Sequence, residues 1–465
     1  MFAGRKRELA ELEELYRRDK FELVVMYGRR RVGKTTLIRE FCKDKRALFF
    51  TALEQADADN LADFSAKVAE FFGLPDGLRF DSWKAALGFM GERARFERFV
   101  LVFDEFPYAA QRNGSLPSVL QVLIDHDLKT SRLFMVLCGS NQGFMESEVL
   151  GRKSPLFGRR TAQMKIGQLS FAEAREMLPG DVQEAFKYYG CFGGVPYYLE
   201  QIDSARSFLE NLTALYFRPA GFLFDEPMSL LRQETREPAQ YSSVLRALAG
   251  GANRTNEIAD KVGMPASSVP KYLQALRDLG IIERRVPFGM NPETSKKGIY
   301  CLKDACFEFW FKFVMPRISE IEEGLGPAVA RGLPDQVIDE YLGHRFEALC
   351  KEWFVEQGLS GNLPISVTGV GSWWGTNPAK REQDDIDAIA ADTYGKKLLM
   401  AECKYRNKFD VAAEVDDLID RKGLIKDYET VGLFVFSKFE LEAPERYVPA
   451  GERLEFVSLA QMYGD

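Results

Sequence analysis

One short segment near the amino terminus restricts the fold of this chain more than any other. Residues 21–27 have the apolar, β-branched composition of a buried strand, and residues 37–41 resume apolar positions at helical spacing. Between them, Gly28 to Thr35 spell G-x-x-x-x-G-K-[ST]. Glycines at these places let backbone N–H groups turn inward towards a phosphate, and the positive end of the following helix points at the same anion. The segment therefore predicts an α/β domain with a phosphate-binding loop (P-loop).

The residues of this loop suggest a nucleotide and a magnesium ion as cofactors. Lys34 is placed to reach the β- and γ-phosphates of ATP, and the Thr35 hydroxyl to bind Mg²⁺. A glycine-rich turn without function is the alternative, which the flanking strand and helix disfavour. The candidate nucleotide contacts are Gly28, Arg29, Arg30, Arg31, Val32, Gly33, Lys34, Thr35 and Thr36.

Two further apolar segments end in polar residues, as expected for strands that carry a catalytic site. The first ends in Asp104 and Glu105. Asp104 is suited to hold Mg²⁺ through water, and Glu105 to orient or deprotonate an attacking water. The second ends at Ser140 and Asn141, two candidates for sensing the γ-phosphate. A buried strand that ends in acids by accident is the alternative for the first.

The order of these motifs resembles the archaeal-type ATPase family, a branch of the AAA+/STAND-like P-loop ATPases. The resemblance extends over roughly the first 220 residues. It implies an AAA-like ATPase core followed by a small helical lid. The motifs that carry it are Phe2–Leu9, Gly28–Thr35, Asp104–Glu105, Gly139–Ser140, Pro155–Arg160 and Gly193–Leu199.

The same resemblance implies roles for residues outside the loop. Arg159 and Arg160 match the position from which related ATPases present an arginine to a nucleotide, either in the same chain or across a homo-oligomer. Arginine suits this role because it stays charged and its planar donors match phosphate oxygens. A structural ion pair is the alternative for both. Four residues are implied to lie around the adenine: Gly4 and Arg5 against it, and Gly194 and Pro196 of the lid closing over it.

The middle of the chain has the charge and helix pattern of a winged helix-turn-helix. Residues 236–303 hold 11 Lys and Arg against six Asp and Glu, although the whole chain carries a net charge of −7. Helices are predicted over residues 241–249, 255–263 and 267–280, followed by a hairpin. Such domains lay the third helix in the major groove of DNA, and protein docking is the alternative role. The candidate DNA contacts are Ser267, Ser268, Lys271, Gln274 and Arg277, with Lys296 and Lys297 at the hairpin tip.

In the last part of the chain, two predicted strands carry Asp387 and the pair Glu402 and Lys404. With these residues, this part resembles the restriction-endonuclease-like nuclease fold with its PD-(D/E)xK signature, and Ile386 stands where the signature has proline. Alternate residues of a strand share a face, so a hairpin would bring these groups together. Asp387 and Glu402 would bind Mg²⁺, Lys404 would activate a water, and Glu347 would complete the metal site. A surface ion-pair cluster, or a nuclease fold that no longer cleaves, is the alternative.

The motifs together predict five segments. These are an ATPase domain over 1–165, a helical lid over 166–230, a winged helix over 231–305, a helical linker over 306–334, and an α/β restriction-endonuclease-like domain over 335–465. The predicted function is an ATP-hydrolysing protein whose nucleotide state positions a DNA-binding winged helix and a Mg²⁺-dependent nuclease-like domain. The alternatives are an ATP-dependent switch with an inert carboxyl-terminal domain, and a DNA-binding regulator that does not cut.

Composition excludes several other classes of protein. No apolar run approaches the about 18 residues of a membrane span, and the amino terminus is charged from Arg5 onward, so we expect no membrane partner and a cytoplasmic location. Seven scattered cysteines and two histidines, without Cys-x-x-Cys spacing, favour neither a disulfide framework nor a zinc site.

Overall fold

The chain forms two compact units. The computed structural model describes residues 2–75 and 77–464. Within them, residues 2–169 and 195–197 form the first unit, and residues 170–194 and 198–464 form the second. The backbone therefore passes from one unit to the other three times.

The first unit is built on a parallel five-stranded sheet. Its order is β2-β3-β4-β1-β5, and every neighbouring pair is parallel. Because β4 lies between β1 and β3, the carboxyl ends of these three strands meet at one edge. The strands are β1 (Glu22–Tyr27), β2 (Ala47–Thr51), β3 (Val100–Asp104), β4 (Phe134–Gly139) and β5 (Ala162–Lys165).

Helices cover both faces of this sheet, which explains why all six residues of β1 are buried. Along β1, Leu23 and Val25 pack into one hydrophobic core, and Val24 and Met26 pack into the other. The helices are α1 (Lys6–Arg17), α2 (Lys34–Phe41), α3 (Asp57–Phe72), α4 (Trp83–Phe96), α5 (Phe106–Arg112), α6 (Leu116–His126) and α7 (Gln142–Phe144).

The second unit combines short helices, a small hairpin and a mixed sheet. Its strands are β6 (Ile282–Arg285), β7 (Ile299–Leu302), β8 (Gly369–Asn377), β9 (Glu382–Asp392), β10 (Lys397–Lys404), β11 (Glu429–Ser437) and β12 (Leu454–Ser458). Its helices are α8 (Phe171–Ala174), α9 (Val182–Phe192), α10 (Pro196–Leu199, whose first two residues belong to the first unit), α11 (Phe208–Tyr216), α12 (Glu226–Glu234), α13 (Pro238–Ala249), α14 (Thr255–Val262), α15 (Val269–Asp278), α16 (Ala305–Phe309), α17 (Ile318–Glu322), α18 (Gly326–Arg331), α19 (Asp335–Leu359), α20 (Val411–Asp420) and α21 (Leu459–Tyr463).

Short 3₁₀ and π segments complete the secondary structure. They cover Leu128–Thr130, Met145–Val149, Arg175–Met177, Trp310–Val314, Met315–Arg317 and Pro444–Tyr447. No helix in the described part of the chain combines the length and apolar character that crossing a membrane requires.

The three helices and the hairpin predicted for the winged helix-turn-helix are confirmed as α13, α14, α15 and β6–β7. Gly263 ends α14 at φ +74°, a left-handed conformation that glycine adopts without strain. Pro270 falls in the first turn of α15, where its missing N–H costs no helical hydrogen bond.

The carboxyl-terminal sheet has the order β12-β11-β10-β9-β8. Strands β8, β9 and β10 are antiparallel, whereas β10, β11 and β12 are parallel. The backbone N–H of Phe288, in the loop between β6 and β7, donates to the carbonyl of Ser372 on the edge strand β8 at 2.8 Å. The Phe288 ring also meets the Tyr428 ring edge-on at 5.6 Å. The hairpin loop therefore covers part of the sheet edge.

The helices after residue 169 share a core with this carboxyl-terminal region. The buried Tyr341 hydroxyl of α19 donates to the carbonyl of Gly190 on α9 at 2.9 Å. A Cβ at Gly190 would lie 2.2 Å from Leu342 Cδ2, so a side chain at this position would displace the buried Leu342 side chain. The Phe186 ring of α9 also packs on the Tyr405 ring at 5.1 Å. These contacts make the second unit one packed body.

A buried carboxyl group on α19 makes the stability of this body depend on pH. Burial, with the nearby charge of Glu356, raises the pKa of Glu352 to about 7. A carboxyl group with a raised pKa favours folding below its unfolded pKa, and this contribution is lost as the pH rises to the folded pKa. From pH 5 to pH 8 we therefore expect the parent to lose about 2–3 kcal/mol of unfolding free energy relative to Glu352→Gln, whose side chain does not titrate. Urea unfolding at the two pH values measures it.

The matched control is Glu340→Gln, an exposed carboxyl group on the same helix. Its stability difference from the parent should be the same at both pH values within about 0.5 kcal/mol. If the difference in unfolding free energy between Glu352→Gln and the parent does not change with pH, the pKa of Glu352 is not raised in the folded protein.

Candidate functional site

The loop between β1 and α2 has the backbone shape of a phosphate-binding loop. Gly28 and Gly33 have φ values of +154° and +89°. A Cβ at Gly28 would lie 2.2 Å from the carbonyl oxygen of Ile166, a distance that no side chain tolerates. A Cβ at Gly33 would lie 3.6 Å from Cγ of Pro196, within van der Waals contact. The loop thus passes close to two other segments of the first unit, one of which contains the predicted lid residue Pro196.

Lys34 and Thr35 occupy the first turn of α2. The Lys34 ammonium donates to the carbonyls of Gly28 and Arg29 at 2.8 and 2.9 Å, so it lies inside the curve of the loop. The Thr35 hydroxyl donates to Asp104 Oδ2 at 3.0 Å, which ties the loop to the end of β3. A hydroxyl and a carboxylate side by side are oxygen donors of the kind that Mg²⁺ accepts together with nucleotide phosphates, so these residues fit the predicted metal. Thr36 is exposed beside them.

Glu105 and Ser140 lie next to each other because β4 is inserted between β1 and β3. The Ser140 hydroxyl donates to Glu105 Oε2 at 2.9 Å. Glu105 itself has φ +49°, a conformation that non-glycine residues rarely adopt and that is concentrated at functional sites. The side chain of Asn141 instead caps α7 by accepting the N–H of Phe144 at 3.0 Å. Of the two predicted sensors, Ser140 is the one in contact with the acidic pair.

The arginines of the loop are held in different ways. The Arg30 guanidinium donates to the hydroxyl of Tyr108 at 2.9 Å. Arg31 has φ +71°, and its guanidinium carbon lies 5.4 Å from the centre of the Tyr197 ring. Arg29 is buried. Arg31 therefore contacts the short segment 195–197, as does Gly33.

The residues predicted near the adenine do not all lie in one unit. Arg5 donates to the carbonyls of Val32 and Gly167 at 3.1 and 2.5 Å, so its guanidinium supports the end of the loop. Gly4 precedes it at φ +65°. Gly194 belongs to the second unit, directly before the segment 195–197 of the first. The adenine contacts of these residues stay predictions.

The two candidate arginine fingers have different surroundings. Arg159 forms a two-point ion pair with Asp125, with Nε at 3.0 Å and Nη2 at 2.6 Å from Oδ2, and this pairing lowers the pKa of Asp125. Arg160 lies 5.9 Å from the centre of the Phe157 ring, and its Nη1 is buried without a hydrogen-bond partner in the described chain. Arg159 thus forms an ion pair of the kind that was its alternative interpretation, and the nucleotide contact of both arginines stays a prediction.

In the second unit, β9 and β10 form the predicted hairpin. Ala388 pairs with Ala401, which places Asp387 beside Glu402. Asp387 Oδ2 accepts the N–H of Cys403 at 2.8 Å. Burial, followed by the negative charge of Glu402, raises the pKa of Asp387 well above its usual range. The Lys404 ammonium lies 2.7 Å from Glu402 Oε1, so the predicted groups do converge.

Sequence reasoning missed the basic residue that completes this cluster. Arg421, directly after α20, donates from Nη1 to Glu402 Oε2 at 2.5 Å and from Nε to Asp384 Oδ1 at 2.8 Å. Glu414 of α20 holds Lys404 at 3.0 Å. These partners are 19 and 37 positions from Arg421 in the sequence, so no local pattern could indicate them.

The predicted metal site of Asp387, Glu402 and Glu347 is not preformed. Among residues 2–75 and 77–464, no group of three or more His, Cys, Asp and Glu is arranged to hold a metal ion. The reason is that the carboxylate oxygens of Glu402 are taken by Arg421 and Lys404, while Glu347 lies 3.3 Å from the ring of His344. As they stand, these residues do not fit Mg²⁺, which requires several oxygen ligands at once.

The third helix of the predicted helix-turn-helix, α15, has one buried and one exposed side. The buried side consists of Val269, Tyr272, Leu273 and Leu276. The predicted DNA contacts Ser267, Lys271, Gln274 and Arg277 are exposed, Ser268 is half-buried, and Lys296 and Lys297 of the hairpin loop are exposed. Basic and amide side chains on the free face of such a helix are able to contact phosphates and base edges.

Comparison with known proteins assigns three parts of the chain. Residues 2–202 match a family described as an ATPase domain predominantly from Archaea. Residues 242–286 match the IclR helix-turn-helix domain, and residues 310–415 match archaeal and bacterial proteins of unknown function. An uncharacterized protein of Methanocaldococcus jannaschii is 32% identical over 445 residues, which cover 95% of this chain and 96% of that protein. The chain belongs to the archaeal-type ATPase family.

Two other proteins are similar to this archaeal-type ATPase over shorter or more distant alignments. An uncharacterized ATP-binding protein of the same organism is 50% identical over 46 residues, which are 10% of this chain and 78% of that protein. A Walker-type ATPase of Pyrococcus abyssi is 19% identical with a TM-score of 0.49, over 66% of this chain and 95% of that chain.

The assignments divide this archaeal-type ATPase as follows. The parallel sheet and its loop form an ATPase domain, and α13 to α15 contain a helix-turn-helix of the IclR type. The match of the carboxyl-terminal region to proteins of unknown function gives no chemistry for the cluster around Glu402.

The different surroundings of Arg159 and Arg160 give distinct expectations for their variants. We expect Arg159→Gln to lower the thermal midpoint of unfolding, because Asp125 loses a two-point partner, and to leave ATP turnover nearly unchanged. Arg160→Gln, the same charge change at the next residue, should reduce ATP turnover at least about tenfold with a smaller drop in the midpoint. Thermal scans measure the midpoint of unfolding, and phosphate release measures ATP turnover. Loss of turnover in Arg159→Gln with parental turnover in Arg160→Gln would exchange the two roles.

Proposed function

We propose that this archaeal-type ATPase binds and hydrolyses ATP at the loop between β1 and α2. The observation that carries the proposal is the hydrogen bond of 3.0 Å between the Thr35 hydroxyl and the Asp104 carboxylate. It holds two oxygen ligands suited to Mg²⁺, a hydroxyl and a carboxylate, next to the loop, whose glycines leave room for phosphate. Mg²⁺, when bound with ATP, neutralises charge on the phosphate oxygens.

The residues of the chain then have separate roles. The N–H groups of the loop and of the first turn of α2 orient the phosphates, and Lys34 supplies a positive charge next to them. Glu105 orients a water molecule and accepts its proton. Its carboxylate is positioned by Ser140, which stands between the loop and the acidic strand.

Two variants separate nucleotide binding from hydrolysis. We expect Glu105→Gln to bind ATP with the parent's affinity and to hydrolyse it at least about 100-fold more slowly, because the proton acceptor is lost. Lys34→Ala should lose ATP binding. Calorimetric titration and phosphate release measure the two quantities.

The control for these variants is Glu70→Gln, an exposed carboxylate of the same unit, which should behave like the parent. Parental hydrolysis by Glu105→Gln would remove Glu105 from the mechanism. Parental ATP binding by Lys34→Ala would place the nucleotide elsewhere.

We infer further that the helix-turn-helix binds duplex DNA. The net charge of +5 over residues 236–303 and the exposed Lys271, Gln274 and Arg277 support this role. Phosphate contacts by basic residues provide affinity, and polar side chains on the recognition helix read base edges.

The salt dependence of DNA affinity tests this inference. Lys271→Gln with Arg277→Gln removes two expected phosphate contacts, so the slope of log affinity against log salt should fall by about 2. Lys67→Gln, an exposed lysine of the first unit, is the control and should leave the slope unchanged. Fluorescence anisotropy with a labelled duplex measures both. A parent without DNA affinity, or with affinity independent of salt, would contradict the role.

For the carboxyl-terminal domain we propose action on phosphodiesters, supported by the convergence of Asp387, Glu402 and Lys404. The ion pairs that occupy Glu402 favour a second candidate, in which the cluster is inert and the chain is an ATP-dependent switch or a DNA-binding regulator that does not cut. Incubation of duplex DNA with the protein and Mg²⁺ distinguishes the two: strand cleavage by the parent and not by Lys404→Ala supports the first candidate, and no cleavage by either protein supports the second.

We propose that nucleotide state is transmitted to the second unit through the segment 195–197. This segment belongs to the first unit, where Pro196 lies against Gly33 and Tyr197 against Arg31. Both of its flanks, Gly194 and Tyr198, belong to the second unit. A conformational change of the loop on ATP hydrolysis therefore reaches the second unit through the covalent backbone at Gly194 and Tyr198.

A further inference from the structure

The loop between β6 and β7 is long for a hairpin and carries two lysines that are predicted to contact DNA. It runs over residues 286–298, and Lys296 and Lys297 are exposed near its end. A long loop has many conformations unless other contacts fix it, and a hairpin of two short strands has little stability of its own. The position of the two lysines therefore depends on the contacts that hold the loop.

The second half of the loop is held from within the hairpin. Arg284 of β6 donates from Nη2 to the carbonyl of Ser295 at 2.6 Å and from Nη1 to the carbonyl of Pro292. The N–H of Lys297 donates to the Ser295 hydroxyl at 3.2 Å. These hydrogen bonds connect the lysines to β6, but they do not hold the hairpin against the rest of the second unit.

The first half of the loop is held by the carboxyl-terminal sheet. The N–H of Phe288 donates to the carbonyl of Ser372 on the edge strand β8 at 2.8 Å. The Phe288 ring packs against the hydrophobic core of this sheet, and the centre of the Tyr428 ring lies 5.6 Å from its own centre. Phe288 is thus attached to the sheet by both its backbone and its side chain.

Two glycines of β8 make room for the Phe288 ring. A Cβ at Gly371 would lie 3.3 Å from Phe288 Cδ2, and a Cβ at Gly369 would lie 3.6 Å from Phe288 Cε2. A branched side chain at Gly371 would therefore push the ring away from the strand. The contact that holds the loop thus depends on a residue of the carboxyl-terminal domain as well as on Phe288.

Ordering of the loop before DNA binds affects the affinity for DNA. A loop that is already held in its bound conformation loses less conformational entropy on binding than a mobile one. Lysines add to DNA affinity when their ammonium groups meet phosphates. Contacts that fix the hairpin therefore strengthen the contribution of Lys296 and Lys297.

We propose that the carboxyl-terminal domain supports the DNA-binding hairpin: its edge strand β8 holds Phe288, and this contact keeps Lys296 and Lys297 in position for DNA phosphates. The proposal rests on the proposed binding of duplex DNA by the helix-turn-helix. Phe288 and Gly371 are then positioning residues. The region that matches proteins of unknown function gains a role in DNA binding that requires no chemistry of its own.

A substitution in β8 tests the proposal without a change in the helix-turn-helix. Gly371→Val places a branched side chain against the Phe288 ring and introduces a residue that strands favour. The matched control is Thr376→Val on the same strand, because the exposed Thr376 side chain contacts Gln383 of β9. Fluorescence anisotropy with a labelled duplex over a range of salt concentrations measures DNA affinity and its salt slope, and thermal scans verify folding.

We expect Lys296→Gln with Lys297→Gln to weaken DNA binding about tenfold and to reduce the salt slope by about 2. Gly371→Val should weaken binding about fivefold with a reduced slope, because the lysines lose their fixed position. In the Gly371→Val protein, the lysine substitutions should cost less affinity than in the parent, since both changes act on the same contacts. Thr376→Val should bind like the parent. If Gly371→Val does not fold, Phe288→Ala, which removes the ring without a clash, carries the same expectations.

Three results would overturn the proposal. Parental or higher DNA affinity of Gly371→Val and Phe288→Ala would show that the hairpin needs no support from β8, while DNA binding by the parent would leave the role of the helix-turn-helix intact. Fully additive losses from Gly371→Val and the lysine substitutions would show that the two changes act at separate places. Absence of DNA binding by the parent would overturn both this proposal and the DNA-binding role on which it rests.

Discussion

The backbone of the loop at Gly28 and Gly33 is the constraint on which the nucleotide site depends. A Cβ at Gly28 would lie 2.2 Å from the Ile166 carbonyl oxygen, and Gly33 has φ +89°, a conformation that residues with a side chain rarely adopt. With glycine at these two positions, the loop passes close to Ile166, which follows β5, and to Pro196 of the segment 195–197. Lys34 then points into the loop and Thr35 reaches Asp104. The two glycines thus shape the phosphate-binding loop and allow it to lie against the segment 195–197. The residues on either side of that segment, Gly194 and Tyr198, belong to the second unit.

The proposed transmission requires the second unit to respond as a whole to a change at that segment, and its internal contacts support this. The helices after residue 169 pack on α19 through Gly190 and Tyr341, and the hairpin loop of the winged helix is hydrogen-bonded to β8 through Phe288. A packed body transmits a displacement of its backbone rather than absorbing it, because close-packed interiors have little room to deform. The helix-turn-helix and the cluster around Glu402 therefore lie in the same packed unit.

Local patterns predicted much of this architecture. The strand, loop and helix around Gly28 to Thr35, the three helices and hairpin of the winged helix, and the pairing of β9 with β10 all depend on residues close in sequence. The contacts that sequence reasoning missed join distant positions: Arg421 with Glu402, and Phe288 with Ser372. Arg159 shows the same limit, since its motif indicates a nucleotide whereas its long-range partner is Asp125. Ion pairs of this kind depend on how helices and strands pack against one another, and the periodicity and spacing of residues along the sequence do not encode that packing.

The transmission of nucleotide state from the loop to the second unit is tested most directly by the affinity for duplex DNA in two nucleotide states. Affinity is measured by anisotropy at one salt concentration, with saturating ATP on the hydrolysis-deficient Glu105→Gln variant and with saturating ADP on the same protein. We expect the two affinities to differ at least about fivefold, a typical coupling between distant sites, and the difference to vanish in Lys34→Ala. Equal DNA affinities with ATP and ADP would contradict the transmission.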